Sequence, residues 1–188
     1  MSLVELIAQA DERGLAASGL ACLDRCVPLL GGDDEILRPL WASLSDAGDV
    51  DDWGAALEQA RGKLGGPDEY DESVEDEAAV LARRMLAAAP ADRSAGEVRL
   101  WADACSVAAL QIHRLLDPID DPASSVDSRR EGRTEGMSPL VAAELRRQVT
   151  VLEVLAGHGA GGLRRALEVS VEGRRVLRAV VSRRARRA

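Results

Sequence analysis

The sequence predicts an all-α fold, and three observations support that prediction. Alanine and leucine supply much of the apolar content, whereas the chain has no phenylalanine and a single tyrosine, Tyr70. Residues that favour strands are therefore scarce, and residues that favour helices are abundant. Apolar residues recur at helical spacing, which indicates about seven or eight helices. Finally, residues 3–69 contain an internal repeat of a helix hairpin.

Four helices are predicted in the first third of the chain, over about residues 3–12, 15–30, 33–45 and 50–64. Asp33 or Asp34 is expected to cap the third of these helices. The run Gly65-Gly66-Pro67 ends the fourth, because glycine and proline stop helices.

The internal repeat relates these four helices in pairs. A shift of 34 positions aligns residues 3–35 with residues 37–69, with eleven identities over 33 positions. Each copy reads as a helix, a turn at Gly14 or Gly48, and a second helix that ends at Gly-Gly. The period is similar to that of the tetratricopeptide helix hairpin, but Gly48 to Pro67 is two residues too long and a third copy is not legible.

The repeat therefore predicts two stacked helix-turn-helix units and assigns no family. Stacked repeats usually present surfaces that bind peptides or proteins. The alternative is an old duplication that now serves only the hydrophobic core.

Two further helices are predicted after the repeat. Ser73 and Asp76 have the spacing of a capping box, and the helix that they open ends at Pro90. The next helix, from about Ser94 to Leu116, has apolar residues on two faces, so we expect it to lie between neighbouring helices.

The last third of the chain divides into a loop and a helical hairpin. The stretch that follows Leu116 is polar and contains two prolines. Loops of about twenty residues are uncommon in compact domains and are usually functional or mobile. Ser138 and Pro139 supply the N-cap and first-turn proline of a helix that runs to about Ala156. A final helix begins near Leu163.

These boundaries describe one domain in three parts. Residues 1–116 form a helical, repeat-like core, residues 117–137 a polar loop, and residues 138–188 a C-terminal hairpin that packs on the same domain.

Charge is distributed unevenly along the chain. The net charge is −8, but residues 1–100 carry −12 and residues 101–188 carry +4. From Arg164 onward there are nine arginines and two acids, Glu168 and Glu172. Such an asymmetry can steer association with an oppositely charged partner.

The sequence-predicted partner-binding residues are four arginines near the C-terminus and one tryptophan: Arg183, Arg184, Arg186, Arg187 and Trp53. Trp53 is a candidate aromatic anchor, although burial in the core would explain it equally well. Three interpretations of the arginines stay open: a solvated face or clamp onto the acidic half, an acidic protein partner, and phosphate contacts to nucleic acid. No aromatic residue follows Trp101 and no nucleic-acid-binding motif is present, which disfavours the last interpretation.

An acidic cluster motivates an enzymatic alternative. Seven of the ten residues from Asp68 to Glu77 are acidic. A helical-bundle phosphohydrolase would hold a divalent metal between carboxylates on facing helices, and Glu72, Glu75 and Asp76 are candidate ligands. The only second pair is Asp117 with Asp120, and acids at a helix N-terminus are also explained by the helix dipole.

The remaining reactive side chains form no recognisable catalytic motif. His113 has Asp117 one turn later, which is the spacing of an oriented general base or of a structural histidine. His158 lies in GHGAGG, either a turn between helices or a phosphate-binding loop. Cys22, Cys26 and Cys105 lack zinc-site spacing and are expected to be small core residues.

The composition also bears on location. The longest uncharged stretches are shorter than the roughly 20 residues of a membrane-spanning helix, and the acidic N-terminal segment does not resemble a secretory signal. We therefore expect a cytoplasmic protein, and the predominance of arginine over lysine is typical of bacteria with GC-rich genomes.

Taken together, these features favour a protein-interaction or regulatory module without a cofactor. The divalent-metal-dependent hydrolase of a phosphorylated small molecule and the nucleic-acid-binding C-terminus are the alternatives. The sequence decides neither whether the chain is an enzyme nor its oligomeric state.

Overall fold

The structure, a computed structural model, describes residues 1–65 and 74–187. These residues form helices and contain no strand, which confirms the all-α prediction. The helices are α1 (Leu3–Gln9), α2 (Glu12–Cys26), α3 (Arg38–Ser43), α4 (Val50–Leu64), α5 (Val74–Ala88), α6 (Ala95–Leu116), α7 (Val126–Arg130), α8 (Pro139–His158) and α9 (Leu163–Ala185). All except α7 correspond to predicted helices, whereas α7 is a five-residue helix inside the predicted polar loop.

Polar N-caps define where several helices begin. Ser138 accepts a hydrogen bond from an N–H in the first turn of α8, as predicted, and Ser94 does the same at the start of α6. Asp49 forms a capping box with Asp52 at the start of α4. These caps satisfy backbone donors that have no partner within the helix.

One predicted turn and one predicted helix start differ from the structure. Gly14 lies inside α2, where its N–H donates to the N-cap Asp11, so the turn of the first hairpin precedes it. The third helix begins at Arg38, with Pro39 in its first turn and no side-chain cap. Neither Asp33 nor Asp34 caps it, because the N-cap position is Leu37 and the carboxylate of Asp34 is bound to Arg178 of α9.

The capping box predicted for α5, formed by Ser73 and Asp76, falls outside what the structure describes. Ser73 lies outside the described residues, and the side chain of Asp76 is not described.

Helix α2 forms the centre of the molecule. Nearly all of its residues are buried, and it packs against α6, α8 and α9. Gly19 allows α6 to approach closely, because a Cβ atom there would lie only 2.6 Å from the ring of Trp101. Helix α6 was predicted to lie between neighbouring helices. In the structure both α2 and α6 do so.

The two sequence repeats do not pack alike. In the first copy, α1 packs mainly on α8 and α6, whereas in the second copy α3 packs directly on α4. The repeat therefore remains a prediction from the sequence.

Arginine side chains hold the C-terminal ends of two helices. Arg99 donates hydrogen bonds to the carbonyl groups of Ile7, Ala8 and Ala10 at the end of α1. Arg61 does the same at the end of α5, where it binds the carbonyl groups of Leu86 and Ala89. A cation in this position satisfies unpaired carbonyls and complements the helix dipole.

The C-terminal hairpin consists of α8 and α9, joined by a short 3-10 turn at Gly159–Gly162. Gly159 has φ +52°, a left-handed conformation that suits glycine. The helices run antiparallel, with Arg147 of α8 paired to Glu172 of α9 at 3.2 Å. Among the described residues, every helix is too short or too polar to cross a membrane.

Candidate functional site

A groove opens at the free end of the α8–α9 hairpin, where the start of α8, the end of α9 and the end of α6 meet. Its volume is about 510 Å³, and we call it the C-terminal groove. Leu116, the last residue of α6, lies in it together with Leu140 of α8 and Val176 and Val180 of α9. These four residues form its apolar floor.

The two long walls of the C-terminal groove are faces of α9 and α8, and residues at helical spacing line each of them. On α9, Val176, Val180, Arg184 and Arg187 fall at intervals of three or four residues, so they lie on one face. On α8, Leu140 and Arg147 share one face for the same reason. Each wall therefore starts apolar and ends with a cation, although the two helices run in opposite directions.

The rim of the groove is cationic. Arg183 and Arg187 are exposed and make no ion pair with another described residue. Arg184 is half-buried, with Nη1 3.4 Å from the carbonyl oxygen of Leu116. Asp117 contributes an acidic group to the lining, so arginines outnumber acids there.

Arg147 adds a mostly buried cation to the α8 wall. Its side chain is 11% exposed, and Nη2 contacts Glu172. Its Nε and Nη1 atoms are buried without a hydrogen-bond partner among the described residues. Glu172 therefore compensates the charge of Arg147, but two of its buried nitrogen atoms have no hydrogen-bond acceptor within the described part of the chain.

The predicted partner-binding residues divide into three groups. Arg183, Arg184 and Arg187 lie together in the C-terminal groove, whereas Arg186 is exposed but does not line it. Trp53 is completely buried, and its Nε1 donates to the carbonyl oxygen of Pro90 at 2.9 Å. Its role as an exposed anchor is therefore corrected, because Trp53 packs edge-on against Trp101 in the core.

A buried polar network, which the sequence analysis missed, crosses the centre of the protein. Glu144 of α8 receives two hydrogen bonds of 2.7 Å from Arg25 of α2 and one of 2.8 Å from Gln148. Ser106 of α6 donates to Gln148 at 2.7 Å and accepts from Arg130 of α7 at 3.1 Å. The signal in the sequence was the presence of Glu144 and Gln148 on the apolar stripe of α8.

The network is suited to holding helices together rather than to catalysis. Arg25 and Glu144 are completely buried, so substrate cannot reach them in this arrangement. Burial alone would raise the pKa of Glu144, but the charge of Arg25 and the hydrogen bonds from Arg25 and Gln148 hold that pKa below its ordinary value.

His113 belongs to this network and not to a pair with Asp117. Its Nδ1 lies 2.7 Å from the carbonyl oxygen of Ala109, and its Nε2 lies 3.5 Å from Glu144. Burial lowers the pKa of His113 more than the neighbouring carboxylate raises it. His113 is therefore a buried, neutral structural residue at physiological pH, consistent with the structural interpretation.

The three cysteines are buried thiols in the core, as expected. Burial raises the pKa of Cys22 to about 12 and those of Cys26 and Cys105 well above their ordinary value. Thiolates are the reactive form, so these cysteines are unreactive in the folded protein.

The metal-dependent alternative receives no support from the part of the chain that can be described. Glu72 lies outside that part, and the side chains of Glu75 and Asp76 are not described. Among the described residues, no group of three or more candidate ligands could hold a metal ion. Asp120 is already engaged, since it accepts a hydrogen bond from the N–H of Ser138 at 2.8 Å.

The glycine-rich segment after His158 is a connection between helices. His158 is the last residue of α8, and α9 follows the 3-10 turn directly. Helix α8 leads into the segment, whereas a strand–loop–helix phosphate site would require a strand in that position.

Comparisons with protein families, curated proteins and solved structures found no match to this chain. The site must therefore be interpreted from its own geometry. An apolar floor beneath three neighbouring arginines can bind a group that is apolar on one side and anionic on the other.

Proposed function

We propose that this chain is a cytoplasmic protein-interaction module that binds an acidic protein partner at the C-terminal groove. The observation that carries the proposal is the convergence of Arg183, Arg184 and Arg187 above one apolar floor. Two of these arginines, Arg183 and Arg187, make no ion pair with another described residue. Their charge is therefore available to a partner, which argues against a clamp onto the acidic half at these two positions.

The apolar floor favours protein over nucleic acid. Phosphate contacts need cations alone, whereas Leu140, Val176 and Val180 offer partly exposed apolar surface between the arginines. Binding to single-stranded nucleic acid also relies on aromatic stacking, and all three tryptophans are buried. Protein interfaces, in contrast, typically combine an apolar centre with a polar rim.

Matched charge reversals test the proposal. Full-length protein would be immobilised and exposed to lysate of its source organism, in parallel with the Arg183→Glu/Arg187→Glu double variant and with Arg186→Glu. We expect a specific acidic protein to be retained by the wild type, lost with the groove variant and released at high salt, because exposed charges are screened. The Arg186→Glu variant, which alters the same helix end outside the groove, should retain that protein.

Three results would contradict the proposal. If the Arg183→Glu/Arg187→Glu variant still retains the partner protein, these arginines do not take part in the interface. Equal loss with Arg186→Glu would mean that net charge, and not the groove, governs binding. Recovery of nucleic acid in place of protein, abolished by nuclease treatment, would transfer the function to the nucleic-acid alternative.

A further inference from the structure

The C-terminal groove has the shape of a receptor for a helix. Its two long walls are themselves helices, α8 and α9, which lie antiparallel with Leu116 of α6 between their ends. The lining residues of α9 extend from Val176 to Arg187, or about 16 Å at the usual rise of 1.5 Å per residue. That length matches about three turns of helix.

The order of residues along each wall restricts what can bind. Apolar and cationic groups are not mixed: Val176 and Val180 precede Arg183 and Arg187 on α9, and Leu140 precedes Arg147 on α8. Because the helices are antiparallel, the exposed Arg183 and Arg187 lie toward one end of the groove, and the mostly buried Arg147, paired with Glu172, lies toward the other. An occupant with an apolar stripe beside acidic residues would match this pattern.

The number and spread of the cations exclude a simpler occupant. A ligand with one carboxylate would pair with one of the two exposed arginines, Arg183 and Arg187, and leave the other without a counter-ion. Arg183 and Arg187 lie one helical turn apart, which is also the spacing of acids at positions i and i+4 of a second helix.

From this geometry we infer that the groove binds an acidic amphipathic helix, with apolar side chains at positions i, i+3, i+4 and i+7 packed on the partly exposed floor residues Leu140, Val176 and Val180. The inference rests on the proposed function and specifies the structure of the partner segment. The binding mode is that of a helix in a groove, in which a few apolar anchors supply most of the affinity and the charges supply orientation.

The test uses displayed peptide libraries, which require no knowledge of the natural partner. One library would contain peptides of about twelve residues, or about three helical turns, with the apolar stripe flanked by Asp and Glu. A second library would have the same composition in shuffled order. Both would be selected against the full chain, and binders would be measured against Val180→Asp, Leu140→Asp and Arg183→Glu/Arg187→Glu.

Two variants serve as controls. Leu100→Asp introduces the same charge at a residue that is 75% exposed on α6, and Arg186→Glu reverses a charge beside the groove. Thermal unfolding followed by circular dichroism would verify that each variant folds. Val180 and Leu140 lie on different helices, so the floor can be tested even if one of the two substitutions prevents folding.

The expected result is enrichment from the patterned library alone. Affinity should fall by about tenfold or more with each floor variant and with the double arginine variant, but not with either control. The selected peptides should gain helical circular dichroism on binding.

The other outcomes separate this inference from the function on which it rests. Equal enrichment from both libraries, with binding that depends on the arginines but not on Val180 or Leu140, would overturn the helical partner and leave the acidic partner standing. Binders whose affinity changes neither with the floor variants nor with the arginine variant would overturn both the helical partner and the acidic partner. The absence of binders from either library would do the same.

Discussion

Arg25 and Glu144 are 119 positions apart in the sequence and form a bidentate ion pair in the centre of the protein. Each of the two hydrogen bonds is 2.7 Å long, and both side chains are completely buried. The pair connects α2 to α8, and thereby connects the C-terminal hairpin that carries the groove to the central helix. Gly173 of α9 makes room for it, since a Cβ atom there would lie 2.3 Å from Cδ of Arg25.

Removal of one charge from this pair should destabilise the fold strongly. In Glu144→Gln the shape is nearly unchanged, but Arg25 keeps a buried charge without a counter-ion. Breaking a buried ion pair in this way costs about 3–5 kcal/mol. Urea unfolding followed by circular dichroism would measure the loss, and a change below about 1 kcal/mol would show that the carboxylate charge is not needed.

A double variant separates the charge from the packing. Arg25→Met/Glu144→Met replaces both members with apolar side chains, and such replacements are often neutral or stabilising. We expect the double variant to be more stable than either single variant. If the two single effects simply add, the residues do not act as a pair.

Gly19 should be intolerant of alanine, despite the better helix propensity of alanine. The added Cβ atom would lie 2.6 Å from the ring of Trp101, and overpacking of a core typically costs about 1–3 kcal/mol. Gly62→Ala is the matched control, because a Cβ atom there meets no other atom within 4 Å and should stabilise α4 by up to about 1 kcal/mol. Thermal unfolding would rank the two variants, and equal stabilisation by both would show that α6 can move away from α2.

Local signals account for what the sequence predicted well. Ser94, Ser138 and Pro139 mark helix starts through contacts with their immediate neighbours, and those starts are found where they were expected. The run of C-terminal arginines is likewise visible without a fold, and its role in partner binding stays a prediction.

Contacts between residues that are far apart in the sequence account for the features that the sequence did not predict. The position of Glu144 on the apolar stripe of α8 was a sign of burial, but its partner Arg25 could not be identified, because only the packing of α2 on α8 brings the two together. Trp53 could have been exposed or buried until its contact with Trp101 was known. Arg186 could be distinguished from Arg183 only once α8 and α6 had defined which face of α9 borders the groove.

The three cysteines should be unreactive until the protein unfolds. Cys22, Cys26 and Cys105 are buried, and burial raises the pKa of each thiol. A chromogenic thiol reagent at neutral pH should therefore react slowly with the native protein, and with three thiols per chain after addition of guanidinium chloride. Rapid reaction of one thiol under native conditions would indicate that the helices around α2 open locally.

His113 should make the stability of the protein depend on pH in mildly acidic solution. Its pKa is lowered in the folded protein from an ordinary value of 6.5, chiefly by burial. As the pH falls below 6.5, the unfolded chain takes up a proton that the folded chain resists. The free energy of unfolding should consequently decrease, by at most about 1.4 kcal/mol per pH unit for this single group.

The variant His113→Gln isolates this contribution, because it keeps a polar side chain and removes the titration. Unfolding by urea would be measured between pH 7.5 and 5.5 for both proteins. Asp24, whose pKa burial raises, is present in both proteins, and Glu144, which faces His113, stays ionised over this range because its pKa is held below its ordinary value. Wild type should lose stability relative to the variant as the pH falls, whereas parallel curves would mean that His113 gains its proton equally readily in the folded and unfolded states.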